Sequence, residues 1–160
     1  MVGGAASFEV WFYHLDASTL EAALPPLLEK CLERGWRALV VGAAVERLAA
    51  LDELLWVWRD DAFLPHGLEG PEAARQPVLL TTVLENRNQA QAVFLTDASV
   101  IAGMNAAALQ GVERVVVLFD GADEDALRHA RAAWKQVKAD GRAASYWRQD
   151  AAGRFVRQGA

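Results

Sequence analysis

With 160 residues, 53% of them hydrophobic, the chain can build one domain with a conventional core and has no room for a second domain. That content excludes wholesale disorder, and no apolar run approaches the roughly 20 residues that a membrane helix needs. A formal charge of −5 argues against a strong, general nucleic-acid binder, because attraction to phosphates sums over the whole surface.

Residues 1–7 (MVGGAAS) have neither the basic start nor the apolar stretch of a signal peptide, so a soluble cytoplasmic protein is expected. One domain over residues 1–160 is expected, with 1–7 and 158–160 as flexible ends. Residues 8–13 (FEVWFY) form a strand of aromatic and β-branched side chains. The pair Pro25-Pro26 suits only a helix start, where a missing amide costs nothing. The pattern therefore predicts a short turn near Leu20 and a main helix over 25–34, stopped by Gly35. A buried strand follows over 37–41, then a helix over 44–55 with leucines at helical spacing. Residues 67–77 carry glycine and proline and read as a surface loop, and 78–82, 92–96 and 112–119 read as three more strands. A long helix over 123–140 ends at Gly141, and 143–148 is the final strand. Continuous apolar strands separated by helices predict an α/β domain: an open, mainly parallel sheet with helices on both faces.

Such a sheet resembles nucleotide-binding folds, yet the chain lacks a phosphate loop. His14-Leu15-Asp16-Ala17 occupies the turn after the first strand, and without glycines the backbone there cannot close around a phosphate. Three aspartates follow strands: Asp16, Asp97 and Asp120. Carboxylates at that edge could converge on Mg²⁺, which makes a phosphoryl-transfer or receiver-like protein the alternative function. No lysine or Ser/Thr is expected to join them in handling a phosphate, so they read as turn and cap residues. His14, His66 and His129 lack metal-ligand spacing. Cys31, the single cysteine, excludes an internal disulfide and reads as a packing residue. No catalytic residues and no cofactor are expected.

Two clusters remain. Residues 51–66 (LDELLWVWRDDAFLPH) interleave Trp56, Trp58 and Phe63 with charged residues, the composition of a protein-interface anchor. On the last helix Arg128, Arg131, Trp134, Lys135 and Lys138 share one broad face. From Ala126 onward eight basic residues face only Asp140 and Asp150, a net +6 that leaves −11 for the residues before. A basic face with one tryptophan suits a peptide that ends in carboxylates and an aromatic or apolar group.

At these clusters the chain resembles the chi subunit of bacterial DNA polymerase III. The resemblance rests on Tyr13-His14-Leu15, Gly35-Trp36-Arg37, Leu51-Asp52-Glu53-Leu54-Leu55-Trp56, Phe63-Leu64-Pro65-His66, Phe119-Asp120, Arg131-Ala132-Ala133-Trp134-Lys135 and the AASYWRQ ending, in order over about residues 8–150. It implies a non-catalytic adaptor in DNA replication with two partners. The psi subunit, which tethers chi to the clamp loader, would meet Trp56 and Phe63. The acidic C-terminal tail of single-stranded DNA-binding protein, ending in an aromatic residue, would meet Arg131, Trp134 and Lys135. Helical spacing adds Arg128 and Lys138 to that tail site. Trp134 stands where the family often has tyrosine, which keeps a flat wall and loses a hydroxyl.

Overall fold

The computed structural model describes residues 7–58 and 64–159. Its elements in chain order are β1 (Glu9–Leu15), α1 (Leu20–Glu33), β2 (Ala38–Val41), α2 (Val45–Trp56), β3 (Gly67–Leu68), β4 (Val78–Thr81), β5 (Ala92–Leu95), β6 (Arg114–Asp120), α3 (Glu124–Ala139), β7 (Ala144–Gln149) and β8 (Phe155–Gln158). The eight strands form one sheet in the order β3-β4-β2-β5-β6-β1-β7-β8. Neighbours run parallel throughout except for β7 and β8. The expected α/β class and mainly parallel sheet are therefore what the chain forms.

The inner strands read as unbroken apolar runs because both faces are covered. Val10 and Phe12 of β1, Leu39 of β2 and Val117 of β6 point into the core beneath α3. Tyr13, Val40 and Leu118 point the other way, into the core that Leu24 and Leu28 of α1 and Leu51 of α2 complete. Leu24, Leu28 and Leu51 are essentially inaccessible to solvent, and burial of each stabilises the fold by about 1.5–3 kcal/mol.

The first helix corrects the sequence reading. It is one element of 14 residues from Leu20, with Pro25 and Pro26 inside it rather than at its start. Thr19 caps it, its hydroxyl accepting from the Ala22 amide at 3.2 Å. The amides that the prolines lack would have reached the carbonyls of Glu21 and Ala22, which lie on exposed residues of the first turn, where losing a partner within the helix costs least. Packing of Leu20, Ala23 and Leu24 then decides the outcome over local preference. Both α1 and α3 stop as expected at glycines in the left-handed region, Gly35 (φ 79°) and Gly141 (φ 76°). In each case the glycine amide and the one after it bond back to the last turn, Gly35 to Leu32 and Trp36 to Cys31, Gly141 to Lys138 and Arg142 to Val137.

Two strands had no clear signal. β3 lies inside the segment expected to be loop, and β8 runs to Gln158, into the stretch expected to fray. Among the described residues no helix is long and apolar enough to cross a membrane.

Candidate functional site

Asp123 starts α3, its carboxylate accepting from the Asp125 and Ala126 amides at 2.9 and 3.2 Å. Ala130, Ala133 and Val137 face the core, which turns Arg131, Lys135 and Lys138 outward on one flank. Trp134 sits at the border of that flank, half-buried. Its ring packs edge-on against Phe12 at 5.3 Å and Tyr146 at 6.0 Å, and the Lys138 ammonium lies 5.7 Å from its centroid. The structure thus brings Arg131, Trp134, Lys135 and Lys138 together as the spacing predicts. Arg128 is exposed too, but it is already paired with Asp125 at 2.8 Å one turn back.

Beneath Trp134 lies a cluster that the sequence did not single out. Tyr146 of β7 stands beside Trp134, Phe119 and His14, with ring centroids 5.9–6.0 Å from each. His14 is buried, with Nε2 3.3 Å from Asp16 Oδ1 and Nδ1 2.7 Å from the Tyr146 hydroxyl. A carboxylate only accepts, so Nε2 carries the hydrogen and Nδ1 accepts from Tyr146. Gly121 makes this possible: a Cβ there would come 2.0 Å from His14 Nε2.

Burial is the largest influence on His14 and lowers its pKa below the ordinary 6.5. Asp16 opposes that shift, Arg148 reinforces it and Asp120 opposes it. The unfolded chain therefore takes up this proton first. Stability is held above pH 6.5, falls as pH drops through 6.5 towards the folded value, and then levels. The bidentate bond from Arg148 (3.0 and 2.8 Å) holds the Asp16 carboxyl below its usual range, so its contribution is lost only at more acid pH. Urea melts between pH 7.5 and 5 should show this first decline in the native chain, and His14→Gln should flatten it. An unchanged slope in the variant would assign the decline elsewhere.

The turn after β1 has a second feature that no sequence motif marks. The Gln149 side-chain oxygen accepts from three consecutive amides, Asp16, Ala17 and Ser18, at 3.0, 2.9 and 3.1 Å. Its nitrogen donates to Ser18 Oγ at 2.8 Å and to the Gly153 carbonyl at 3.3 Å. In a nucleotide-binding sheet the amides of this turn would face a phosphate; here they are occupied by the chain itself.

The three aspartates have local duties. Asp16 pairs with Arg148, Asp97 accepts from the Ser99 amide and hydroxyl at 2.9 and 2.7 Å, and Asp120 accepts from the Ala122 amide at 2.9 Å. Among the described residues no group of three His, Cys, Asp or Glu is arranged to hold a metal ion. Asp97 and Asp120 line a hollow of about 500 Å³ with Asp123 and Asp125. These carboxylates make the hollow acidic, in contrast to the basic Arg131 flank of α3. Cys31 is buried and its thiol is pushed up to about 11 by burial, consistent with packing rather than nucleophilic use.

At the far end of the sheet, α2 stops at Trp56, which is 55% exposed, and Val57 beside it is 76% exposed. The Trp56 ring rests against His66 at 4.4 Å, and buried His66 is held by the Leu64 carbonyl and the Asp52 backbone and side chain. Phe63 lies outside the described residues.

Fold and surfaces together define an α/β domain of nucleotide-binding-like architecture whose phosphate turn is filled by its own side chain. Over residues 8–145 the chain matches the family described as DNA polymerase III chi subunit, HolC, and it belongs to that family. The family is an accessory subunit of DNA polymerase III. The chain is also 29% identical over 91 residues to the probable DNA polymerase III subunit chi of Rickettsia prowazekii (strain Madrid E). That match covers 56% of this chain and 55% of the relative, so the chain spans about half the length of the curated relative it matches.

Proposed function

We propose that the chain is a non-catalytic adaptor that links the clamp loader, through psi, to the acidic C-terminal tail of single-stranded DNA-binding protein. The observation that carries this reading is the α3 flank. Arg131, Lys135 and Lys138 are exposed around a half-buried tryptophan, and among the described residues no carboxylate pairs with them. The tail's carboxylates meet these cations while its terminal aromatic packs against Trp134, a mixed contact that neither charge nor burial supplies alone. Ordering a short disordered peptide is costly, so one tail binds weakly. Many tails on a coated strand restore strength through effective concentration. A pull-down on the host's tail peptide tests this: the wild-type chain is retained, and retention without dependence on Arg131 would count against the site.

Trp56 supports the second half of the reading, since a residue already buried has little left to offer a partner. Trp56→Ala should weaken psi binding by about 2 kcal/mol, the loss typical of an anchor. Its exposure limits the stability loss to about 1 kcal/mol, far below the 3–5 kcal/mol of a buried tryptophan. Paired thermal melts and psi titrations check this; a collapsed melt with unchanged psi binding would make Trp56 a core residue. Phe63 is assigned to the same surface on its position in the family resemblance.

A further inference from the structure

Opposite α3, on the α1 face, the sheet carries a groove of about 590 Å³ that neither proposed surface uses. α1 packs over β2 and β6, and the sheet continues past it through β1, β7 and β8. One wall is therefore sheet that no helix covers, and it is aromatic: Trp11, Trp147 and Phe155 are half-buried there around a buried Tyr13. Trp11 stacks on Trp147 at 4.9 Å, and Tyr13 stacks on Phe155 at 4.0 Å. The indole nitrogens of Trp11 and Trp147 are tied to Glu9 and Ser145 at 2.7 and 2.8 Å, which fixes the planes of both rings. The other wall is α1 and Trp36, with the Arg34 guanidinium 3.9 Å above that ring.

The charge of the groove inverts that of the chain. Lys30, Arg34, Arg114 and Arg154 line it, and no aspartate or glutamate does, although acidic residues outnumber basic ones 21 to 16 overall. Arg114 lies between the walls, 3.8 Å from the Trp11 centroid and 5.4 Å from Trp36. Its buried Nε has no hydrogen-bond partner, and its nearest carboxylate, Glu9, is 3.8 Å away. Among the described residues no carboxylate pairs with Lys30, Arg34 or Arg154.

We propose that this groove binds single-stranded nucleic acid without sequence preference, bases resting on the aromatic wall and phosphates following the cations. Aromatic platforms flanked by cations suit this ligand because every base has a face to stack. The arrangement of the cations favours it over an acidic peptide. Lys30 and Arg34 are spaced one helical turn apart, about 6 Å, along one lip. Arg154 stands on the opposite lip at the turn into β8, so the charges track a backbone rather than converge on one carboxylate. The overall negative charge keeps the affinity modest and steeply salt-dependent. The inference is independent of the adaptor reading.

Fluorescence anisotropy of the full chain with a labelled oligothymidylate of about 15 nucleotides at low salt tests it. Binding is expected. The K30E/R34E double variant should weaken it by about tenfold or more, as should an abasic strand with the same phosphates, while Arg131→Glu should leave it within about twofold. Both reversed residues are exposed; should charge reversal unfold the chain, the K30Q/R34Q pair makes the same comparison. No binding at low salt, equal binding by the abasic strand, or wild-type binding by a folded double variant would each overturn the proposal. It would also be overturned if the double variant kept the oligonucleotide and lost an acidic, aromatic-ended peptide instead.

Discussion

Trp134→Ala is expected to eliminate binding of the acidic tail peptide and to lower the melting temperature at the same time. The two losses have separate causes. The indole is the flat wall of the proposed peptide site, but its other edges pack on Phe12 and Tyr146. Removing a half-buried ring from such a contact costs about 2–3 kcal/mol, which for a chain of this size is a fall of roughly 5–10 °C. Arg131→Glu separates the effects. Arg131 is exposed and without a carboxylate partner among the described residues, so its reversal should abolish peptide binding and leave the melt nearly unchanged. Calorimetric melts beside peptide titrations give both readings. Wild-type peptide binding by the folded Arg131 variant would remove the electrostatic half of the site.

The second large effect is expected at Gln149, a buried side chain outside the tail and psi surfaces. Gln149→Ala strips one acceptor from three amides at once, together with donors to Ser18 and Gly153. Unmade hydrogen bonds of partly buried groups cost about 1–3 kcal/mol each at most. Water reaching the exposed Asp16 and Ala17 recovers some of this, so a net loss of about 2–4 kcal/mol is expected. Gln149→Glu should retain more stability than the alanine, because its carboxylate still accepts from all three amides. Urea melts of the two variants check the ranking. If phosphate or a nucleotide rescued Gln149→Ala, the turn would prove to retain the anion-binding geometry that Gln149 now occupies.

The legibility of this chain followed the range of the signal. Strands β1, β2, β4, β5 and β6 are apolar runs long enough to read directly, and Gly35 and Gly141 marked two helix ends. Pro25-Pro26 misled because a local rule about prolines was outweighed by a cap at Thr19 and burial of Leu20, Ala23 and Leu24. β3 has two residues, and β8 has four at a sheet edge, of which only Phe155 and Val156 are apolar, so neither offers a readable pattern. The basic flank of α3 was legible because helical spacing is local. Tyr146, Gln149 and His14 were not, since they meet across more than 130 residues through the β1–β7 pairing. The aromatic groove is the extreme case. Trp11, Trp36, Trp147 and Phe155 share no motif, and only the strand order places them on one wall or facing it.

The most direct test of the adaptor reading is a two-dimensional NMR titration of the isotopically labelled chain with the host's single-stranded DNA-binding protein tail. Salt-sensitive shifts are expected, concentrated on Arg131, Trp134, Lys135 and Lys138, including the Trp134 indole, and lost when the peptide's terminal aromatic residue is deleted. Shifts confined to α1 or to the end of α2, or no shifts at low salt, would contradict it.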